Sequence, residues 1–453
     1  MRLIPRPHDV DRVAEAGVDT RRLAQSEVLI CVGKALRSAE LCGHPVDALC
    51  RALMPLGFRA VSLCGGEEFF GELVVDTEGG LQHFPGDGSA ETLACLAASA
   101  DVVVDLDSDD DGRPESGRAA TERPSLGLRF RWGDAWAAMW SAPQSDLCRL
   151  DSAAPTPATG TSTAPIARIV AGLALQEIVI HTGRIAAACP PARCIAYDAG
   201  TESRGWEGEQ GIGGMTQFGI EHAIIDVVGA GAVGAHLLEC LVPLLANSEL
   251  RIFDPDVVAP ENLSLSAMYD ADDVGRSKAV AAASRLTVKA GHDVSIHPFP
   301  TRYEEQPRSL RPPSLRIACV DTFAARNYLN DLSLGDGVPL TEAGSSPLAG
   351  QVRTYLAGRT ACLAHRIPRL AQKAASEKDS ASCLQNPAPT LPGVNMVVAG
   401  MQALEAVRTL WSPDAGGPSL GTIVYDCREP RRIGVTGVRA PCVHETCRAS
   451  GPL

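Results

Sequence analysis

The sequence predicts an α/β protein of two tandem halves, each a mostly parallel central sheet with helices on both faces. Three observations carry this prediction. Short apolar runs with β character alternate with helical segments along the chain. One such run, Ala223–Val228, passes through Gly229-Ala230-Gly231-Ala232-Val233-Gly234 into a helical pattern. The strand, glycine loop and helix in this order are the demanded context of a G-x-G-x-x-G motif. Finally, the chain repeats itself. Ala171–Val179 and Ala399–Val407 read as amphipathic helices opened by small residues, each with a Glu six positions after its Ala (Glu177, Glu405). Each is followed by a β run ending in Tyr-Asp, at Tyr197-Asp198 and Tyr425-Asp426, and the common offset is 228 residues.

Taken in order, the first half opens with the strand Val28–Gly33 and continues through the strands Arg59–Leu63 and Asp101–Leu106. It closes on the Ala171–Val179 helix and the strand Ile195–Asp198. Its first strand keeps one glycine, Gly33. Lys34, Leu36 and Arg37 follow, and their side chains would crowd a phosphate. Ser108–Pro124 and Ser152–Pro165 are rich in Ser, Pro, Gly, Thr and charge and read as loops, and Gly200–Gly214 reads as a linker. The halves are therefore residues 1–200, without a nucleotide loop, and 215–453, with one.

Composition narrows the function classes. The 453 residues carry 41 Lys+Arg against 54 Asp+Glu, a formal charge of −13. That balance argues against nucleic-acid binding and against a polybasic membrane anchor. The most apolar stretch, Ala223–Ala246, holds Asp226, His236 and Glu239, so no membrane span is expected there. Met1–Val10, broken by Pro5, Pro7 and charged residues, lacks the order of an export signal, so a cytoplasmic location is expected. In a reducing compartment most of the 15 cysteines are expected to be buried apolar residues. Cys31, Cys50, Cys64, Cys95, Cys240 and Cys319 are assigned to this group.

In the second half, Gly229 and Gly231 would let the backbone approach a ligand, and Gly234 would allow close helix packing. The next strand, Leu250–Phe253, ends at Asp254, where a carboxylate can bind ribose hydroxyls. To this point an NAD-dependent oxidoreductase fits equally well. The run that follows is Asp254-Pro255-Asp256-Val257-Val258, then Asn262-Leu263, then Val274-Gly275-Arg276-Ser277-Lys278. With Cys319-Val320-Asp321-Thr322, Glu342–Gly344 and Gly350–Val352, it resembles the adenylating domain of the ubiquitin-activating enzyme superfamily, which includes the ThiF and MoeB types. The likeness covers residues 220–430 clearly and, through the repeat, residues 20–200 faintly.

The resemblance implies tandem Rossmann-like adenylation domains forming an intrachain pseudo-dimer, the first inactive. It implies that Asp254 holds the ribose of ATP, Asn262 and Lys278 its phosphates, and Asp321 a Mg²⁺ ion. Three residues after Asn262, where the family has a phosphate-binding Arg, this chain has Leu265; Arg276 is a candidate substitute. The family also borrows an Arg from the neighbouring domain, for which Arg21 and Arg22 are candidates. Cys383 lies upstream of the Ala399 helix, in a segment of about 358–395 that lengthens the second half. Gly33 to Ala171 spans 138 positions and Gly229 to Ala399 spans 170. The resemblance makes Cys383 the nucleophile that takes over an adenylated C-terminus. Cys362, His365, Cys442 and Cys447 occupy the places of the family's zinc pairs and would form a Cys₃His site.

The implied partners are a ubiquitin-like protein ending in Gly and a conjugating enzyme with a catalytic Cys. The implied setting is a bacterial ubiquitin-like conjugation system, with phage defence as its role. A sulfur-carrier or peptide-modifying adenylyltransferase, the oxidoreductase and a non-catalytic scaffold are the alternatives.

Overall fold

A computed structural model describes residues 14–32, 45–53, 56, 58–64, 81–84, 100–106, 126–132, 136–143, 164–183, 194–198, 219–266, 268–307, 309–379, 390–411, 418–428 and 432–437. In the first half the strands are β1 (Glu27–Val32), β2 (Ala60–Cys64), β3 (Leu81–Phe84), β4 (Val102–Leu106), β5 (Leu126–Trp132), β6 (Trp136–Pro143) and β7 (Cys194–Asp198). Its helices are α1 (Thr20–Leu23), α2 (Pro45–Leu53) and α3 (Ala164–Thr182). The second half has β8 (Ile220–Glu221), β9 (Ile224–Val228), α4 (Ala232–Leu241), β10 (Leu245–Ala246), β11 (Glu249–Phe253), α5 (Lys278–Thr287), β12 (Ser295–Phe299), β13 (Leu315–Ala318) and α6 (Phe323–Asp336). It continues with β14 (Leu340–Ser345), β15 (Ala349–Tyr355), α7 (Leu363–Arg366), α8 (Leu370–Asp379), α9 (Pro392–Trp411), β16 (Thr422–Asp426) and β17 (Arg432–Thr436).

The two large sheets share one plan. The first runs β3-β2-β1-β4-β5-β6-β7 and the second β12-β11-β9-β13-β14-β15-β16-β17. In both, the first five strands are parallel and the following ones antiparallel. Strands such as Ile224-Ile225-Asp226-Val227-Val228 are buried along their length, as central parallel strands covered on both faces must be. β3, β5 and β6 were not expected from the sequence. β5 is interrupted by Arg129 and Arg131 and β6 opens on Trp136, so no uniform apolar run marks them.

Helices α3 and α9 lie against each other at the centre of one core that draws on both halves. The expectation for the first repeat helix needs correction. It runs from Ala164, taking in the end of the segment read as a loop, and it is buried on all sides rather than amphipathic. Enclosure by α9, α4 and the strands of its own sheet leaves it no wet face. By length and composition α3 could cross a membrane, but it is buried inside the protein.

Close approach of the two helices rests on glycines. A Cβ on Gly172 would stand 2.7 Å from the Gly393 carbonyl and 2.8 Å from the Val397 nitrogen. A Cβ on Gly400 would stand 2.6 Å from both the Pro165 carbonyl and Ile169 Cγ1. Shifted by the repeat offset, Gly172 facing Gly393 and Val397 becomes Gly400 facing Pro165 and Ile169. The contact is self-complementary, as about a two-fold axis.

Candidate functional site

The second sheet changes direction at β9: β11 and then β12 lie on one side, β13 and β14 on the other. Such a switch point opens a crevice beyond the carboxyl ends of the strands. Three segments meet there. Gly229 follows β9 and its N–H donates to the Phe253 carbonyl at 2.8 Å; Cys319 follows β13 and its N–H donates to the Val228 carbonyl at 2.8 Å. Asp254 ends β11.

The glycines divide the work differently from the expectation. Gly229, at φ +95°, is pressed against the Cys319 carbonyl, which a Cβ would meet at 2.5 Å. Gly234 is pressed in turn against the Gly229 carbonyl, at 2.0 Å from a built Cβ. Both therefore serve packing. Only Gly231 faces open space within 4 Å, so it is the glycine that would admit a ligand. Ala230 is held at both ends: its N–H donates to Asp254 Oδ2 at 2.7 Å, and its carbonyl accepts from the Tyr269 hydroxyl at 2.6 Å.

Asp254 is buried and also accepts from the Asp256 N–H at 2.9 Å. Two of its roughly four acceptor sites remain for a ligand. Burial raises its pKa, and the nearby Lys278 charge opposes that rise. A bridge between Val257 and Ser277 brings the start of α5 back beside this loop. Lys278 then donates through Nζ to Asp256 Oδ2 at 3.0 Å, and through its backbone N–H to the Asp256 carbonyl at 2.9 Å. Ser277 caps the helix by accepting from the Val280 N–H. Asp254, Asp256, Lys278 and the glycine loop thus form one cluster, which could hold a ribose and a phosphate chain.

Asn262 closes a short turn, its Oδ1 accepting from the Ala259 N–H at 2.9 Å, so its amide nitrogen is the end left for a ligand. Leu265 is buried, and its carbonyl lies 3.0 Å from His236 Nε2. Arg276 is the candidate substitute for the missing Arg. Its guanidinium pairs with buried Asp273 at 2.7 Å, in a pocket shared with Asp270 and Arg285.

Asp321 is exposed at the end of the β13 loop, where a carboxylate suits a hard divalent cation. Its backbone is held by a residue sequence reasoning missed. Arg326 donates to the carbonyls of Val320 at 2.7 Å and Asp321 at 3.1 Å, and to Glu342 at 2.7 Å. Arg353 donates to the other Glu342 oxygen at 2.7 Å. The carboxylate of Glu342 within an expected sheet strand was the available signal. Cys319, behind the loop, donates its thiol to Gln402 Oε1 at 3.1 Å, and burial pushes its pKa far up.

The remaining candidates do not converge here. Arg21 and Arg22 lie on α1, where the Arg21 N–H donates to the Asp19 cap and the Arg22 carbonyl accepts from Ser26. Among the described residues their contacts stay in the first half. Cys362 and His365 stand together, Sγ to Nδ1 3.3 Å. Among the described residues no group of three or more His, Cys, Asp or Glu is placed to hold a metal. Cys442, Cys447 and Cys383 lie outside the described residues.

The chain is similar to several known proteins. The chain is 31% identical over 132 residues to the SAMP-activating enzyme E1 of Haloferax volcanii, covering 29% of this chain and 48% of that one. It is 30% identical over 161 residues to SUMO-activating enzyme subunit 2 of Dictyostelium discoideum, covering 34% and 23% respectively. It is also 30% identical over 146 residues to the sulfur carrier protein adenylyltransferase of Thermus thermophilus, covering 32% and 53%. The chain thus spans from about a quarter to about half the length of these relatives. The crystal structure of E. coli MccB with ATP superposes over 49% of this chain and 66% of that one, with 18% identity and a TM-score of 0.41. The pattern of the ThiF family matches residues 208–436, just over half of the sequence, and the chain therefore belongs to the ThiF family.

Proposed function

We propose that this chain activates a ubiquitin-like protein at the expense of ATP. The observation that carries the reading is the cluster at the β9 switch point. Gly231 presents an open backbone, Asp254 keeps free acceptor sites, Lys278 pairs with neighbouring Asp256, and Asp321 opens the facing loop. ATP would bind with its ribose on Asp254 and its phosphates toward Lys278 and Asn262. Mg²⁺, held by Asp321, would supply charge neutralisation on the phosphates. The carboxylate of the partner's C-terminal Gly attacks the α-phosphorus, the bond to the β-phosphate oxygen breaks, and pyrophosphate leaves an acyl adenylate. The Cys383 thiolate then attacks the acyl carbon, AMP departs, and a thioester remains for transfer to a conjugating-enzyme Cys.

The shared strand order of the two sheets and the self-complementary helix contact support reading residues 1–200 and 215–453 as an intrachain pseudo-dimer. Only the second carries the nucleotide loop. Arg21 and Arg22 remain candidates to reach a loaded site from the first half. Cys362 and His365 would supply two ligands of a zinc site completed by Cys442 and Cys447. The cytoplasm, and bacterial ubiquitin-like conjugation with a role in phage defence, are the proposed setting. A sulfur-carrier substrate would share the first half-reaction and differ in the acceptor.

The test is ATP–pyrophosphate exchange stimulated by candidate Gly-ending carrier proteins. Exchange is expected, and Cys383→Ala should keep it while losing the thiol-labile adduct. No exchange, together with tight NADH binding, would sink the reading in favour of an oxidoreductase.

A further inference from the structure

One ion network crosses between the halves and ends at the nucleotide site. Arg168, on α3 of the first half, reaches α4 of the second, the helix that starts at Gly231. Its Nη2 lies 3.0 Å from Glu239 Oε2, and its Nη1 lies 3.2 Å from His236 Nδ1. Lys289 closes the far side of Glu239 at 3.1 Å. Arg168, His236 and Glu239 are all buried, with His236 at 1% exposure.

The chemistry fixes the ring's tautomer. A guanidinium only donates, so Nδ1 must accept; the ring proton then sits on Nε2, which donates to the Leu265 carbonyl at 3.0 Å. Burial, reinforced by the Arg168 charge, lowers the His236 pKa to about 3, so the ring stays neutral. Leu265 belongs to the turn of Asn262: the N–H groups of Leu265 and Ser266 both donate to the Asn262 carbonyl. Arg168 is thus joined through one oriented imidazole to the backbone that presents Asn262. The repeat places apolar Met396 at the position equivalent to Arg168, so this network is not duplicated from the second half's helix toward the first.

We propose that Arg168 is a positioning residue, lent by the first half, that sets the Asn262–Leu265 turn for nucleotide binding through His236. The inference rests on the ATP reading above. It gives the first half a task in the second half's site even though its own glycine loop is missing. Where the family's Arg would grip phosphate directly, this chain has Leu265, and an Arg of the other half anchors the same turn from behind.

The test measures Mg·ATP binding to the full chain by calorimetry and the His236 ring by ¹⁵N NMR. Wild type should show the neutral Nε2–H tautomer. Arg168→Met should lose that single tautomer and weaken Mg·ATP binding about tenfold or more. His236→Leu should weaken binding to a similar degree. His236→Gln, which keeps an N–H for the Leu265 carbonyl, should restore most of it. Unchanged Mg·ATP affinity in folded Arg168→Met, or an Nδ1–H ring in wild type, would overturn the proposal. If Arg168→Met does not fold, the His236 pair decides, and equal losses in Leu and Gln overturn it. Absence of Mg·ATP binding to wild type would instead refute the ATP reading, while the ring signal still reports whether the network exists.

Discussion

Replacing Gly172 with alanine probes the contact between the two halves. In an exposed helix, Gly→Ala stabilises by about 1 kcal/mol, because alanine loses less backbone freedom on folding. At Gly172 the new methyl would meet the Gly393 carbonyl at 2.7 Å, Met396 Cβ at 2.8 Å and the Val397 nitrogen at 2.8 Å. Two of these are backbone atoms and the third is a Cβ, so no rotamer change relieves them and the helices must separate. Overpacking of this kind costs about 1–3 kcal/mol. The net expectation is a loss of up to about 2 kcal/mol, read as a lower urea midpoint at unchanged slope. Gly400→Ala, against Pro165 and Ile169, should lose a similar amount. Because one separation relieves both clashes, the double variant should cost less than the sum. Gly335→Ala is the control: it lies in α6 with nothing within 4 Å of its built Cβ and should gain up to about 1 kcal/mol. If Gly172→Ala stabilised as Gly335→Ala does, the close approach of α3 and α9 would be refuted.

Further predictions concern charge. Glu342→Ala would remove the carboxylate that pairs with buried Arg353 and half-buried Arg326, and should destabilise by about 3–5 kcal/mol in urea titration. His236 is neutral in the folded protein and its pKa falls to about 3 from burial and then Arg168, against an ordinary value of 6.5. Its contribution to stability is therefore complete above about pH 6.5 and fades as pH drops toward 3. Burial would raise the Glu239 pKa, but Arg168 and Lys289 outweigh it and hold it at about 2, so its contribution fades below its ordinary 4.5. Unfolding midpoints measured from pH 7 to 4 should fall, and His236→Gln should flatten the upper part of that slope. Lys278→Ala should weaken Mg·ATP about tenfold or more by calorimetry while the fold is kept, since its partner Asp256 is largely exposed. Cys319 is half-buried, its thiol donates to Gln402 and desolvation pushes its pKa up, so it should react with a maleimide far more slowly than a free thiol; labelling of native protein at the rate of a free thiol would contradict its placement.

Much of the second half was legible because its signals are local. Strand, glycine loop and helix follow each other between residues 223 and 241, and Asp254, Asn262, Lys278 and Asp321 stand at element ends where loop chemistry is written in short motifs. The offset linking Ala171 to Ala399 and Tyr197 to Tyr425 pointed to two sheets of one plan, because equal spacing between like elements survives divergence of the residues between them. What the linear order hid is whatever depends on partners distant in the chain. It marked Gly229 as a ligand-facing residue, but the Cys319 carbonyl from another strand occupies that side, and Gly231 alone stays open. It did not show that folding delivers buried Asp273 to Arg276, the candidate substitute cation. It read α3 as amphipathic from a few turns, whereas α9, α4, α2 and the strands of its own sheet cover its faces.

The sequence by itself determined the fold class and the residues available for nucleotide chemistry, since hydrophobic period, glycine placement and element ends are properties of neighbours in the chain. Only the tertiary structure decided which of those residues are free to act and which are held. Arg168 and His236 are 68 positions apart and Arg326 and Glu342 are 16 apart. A buried ion or hydrogen bond exists only once the surrounding chain has excluded water from both partners, and no local pattern records that event.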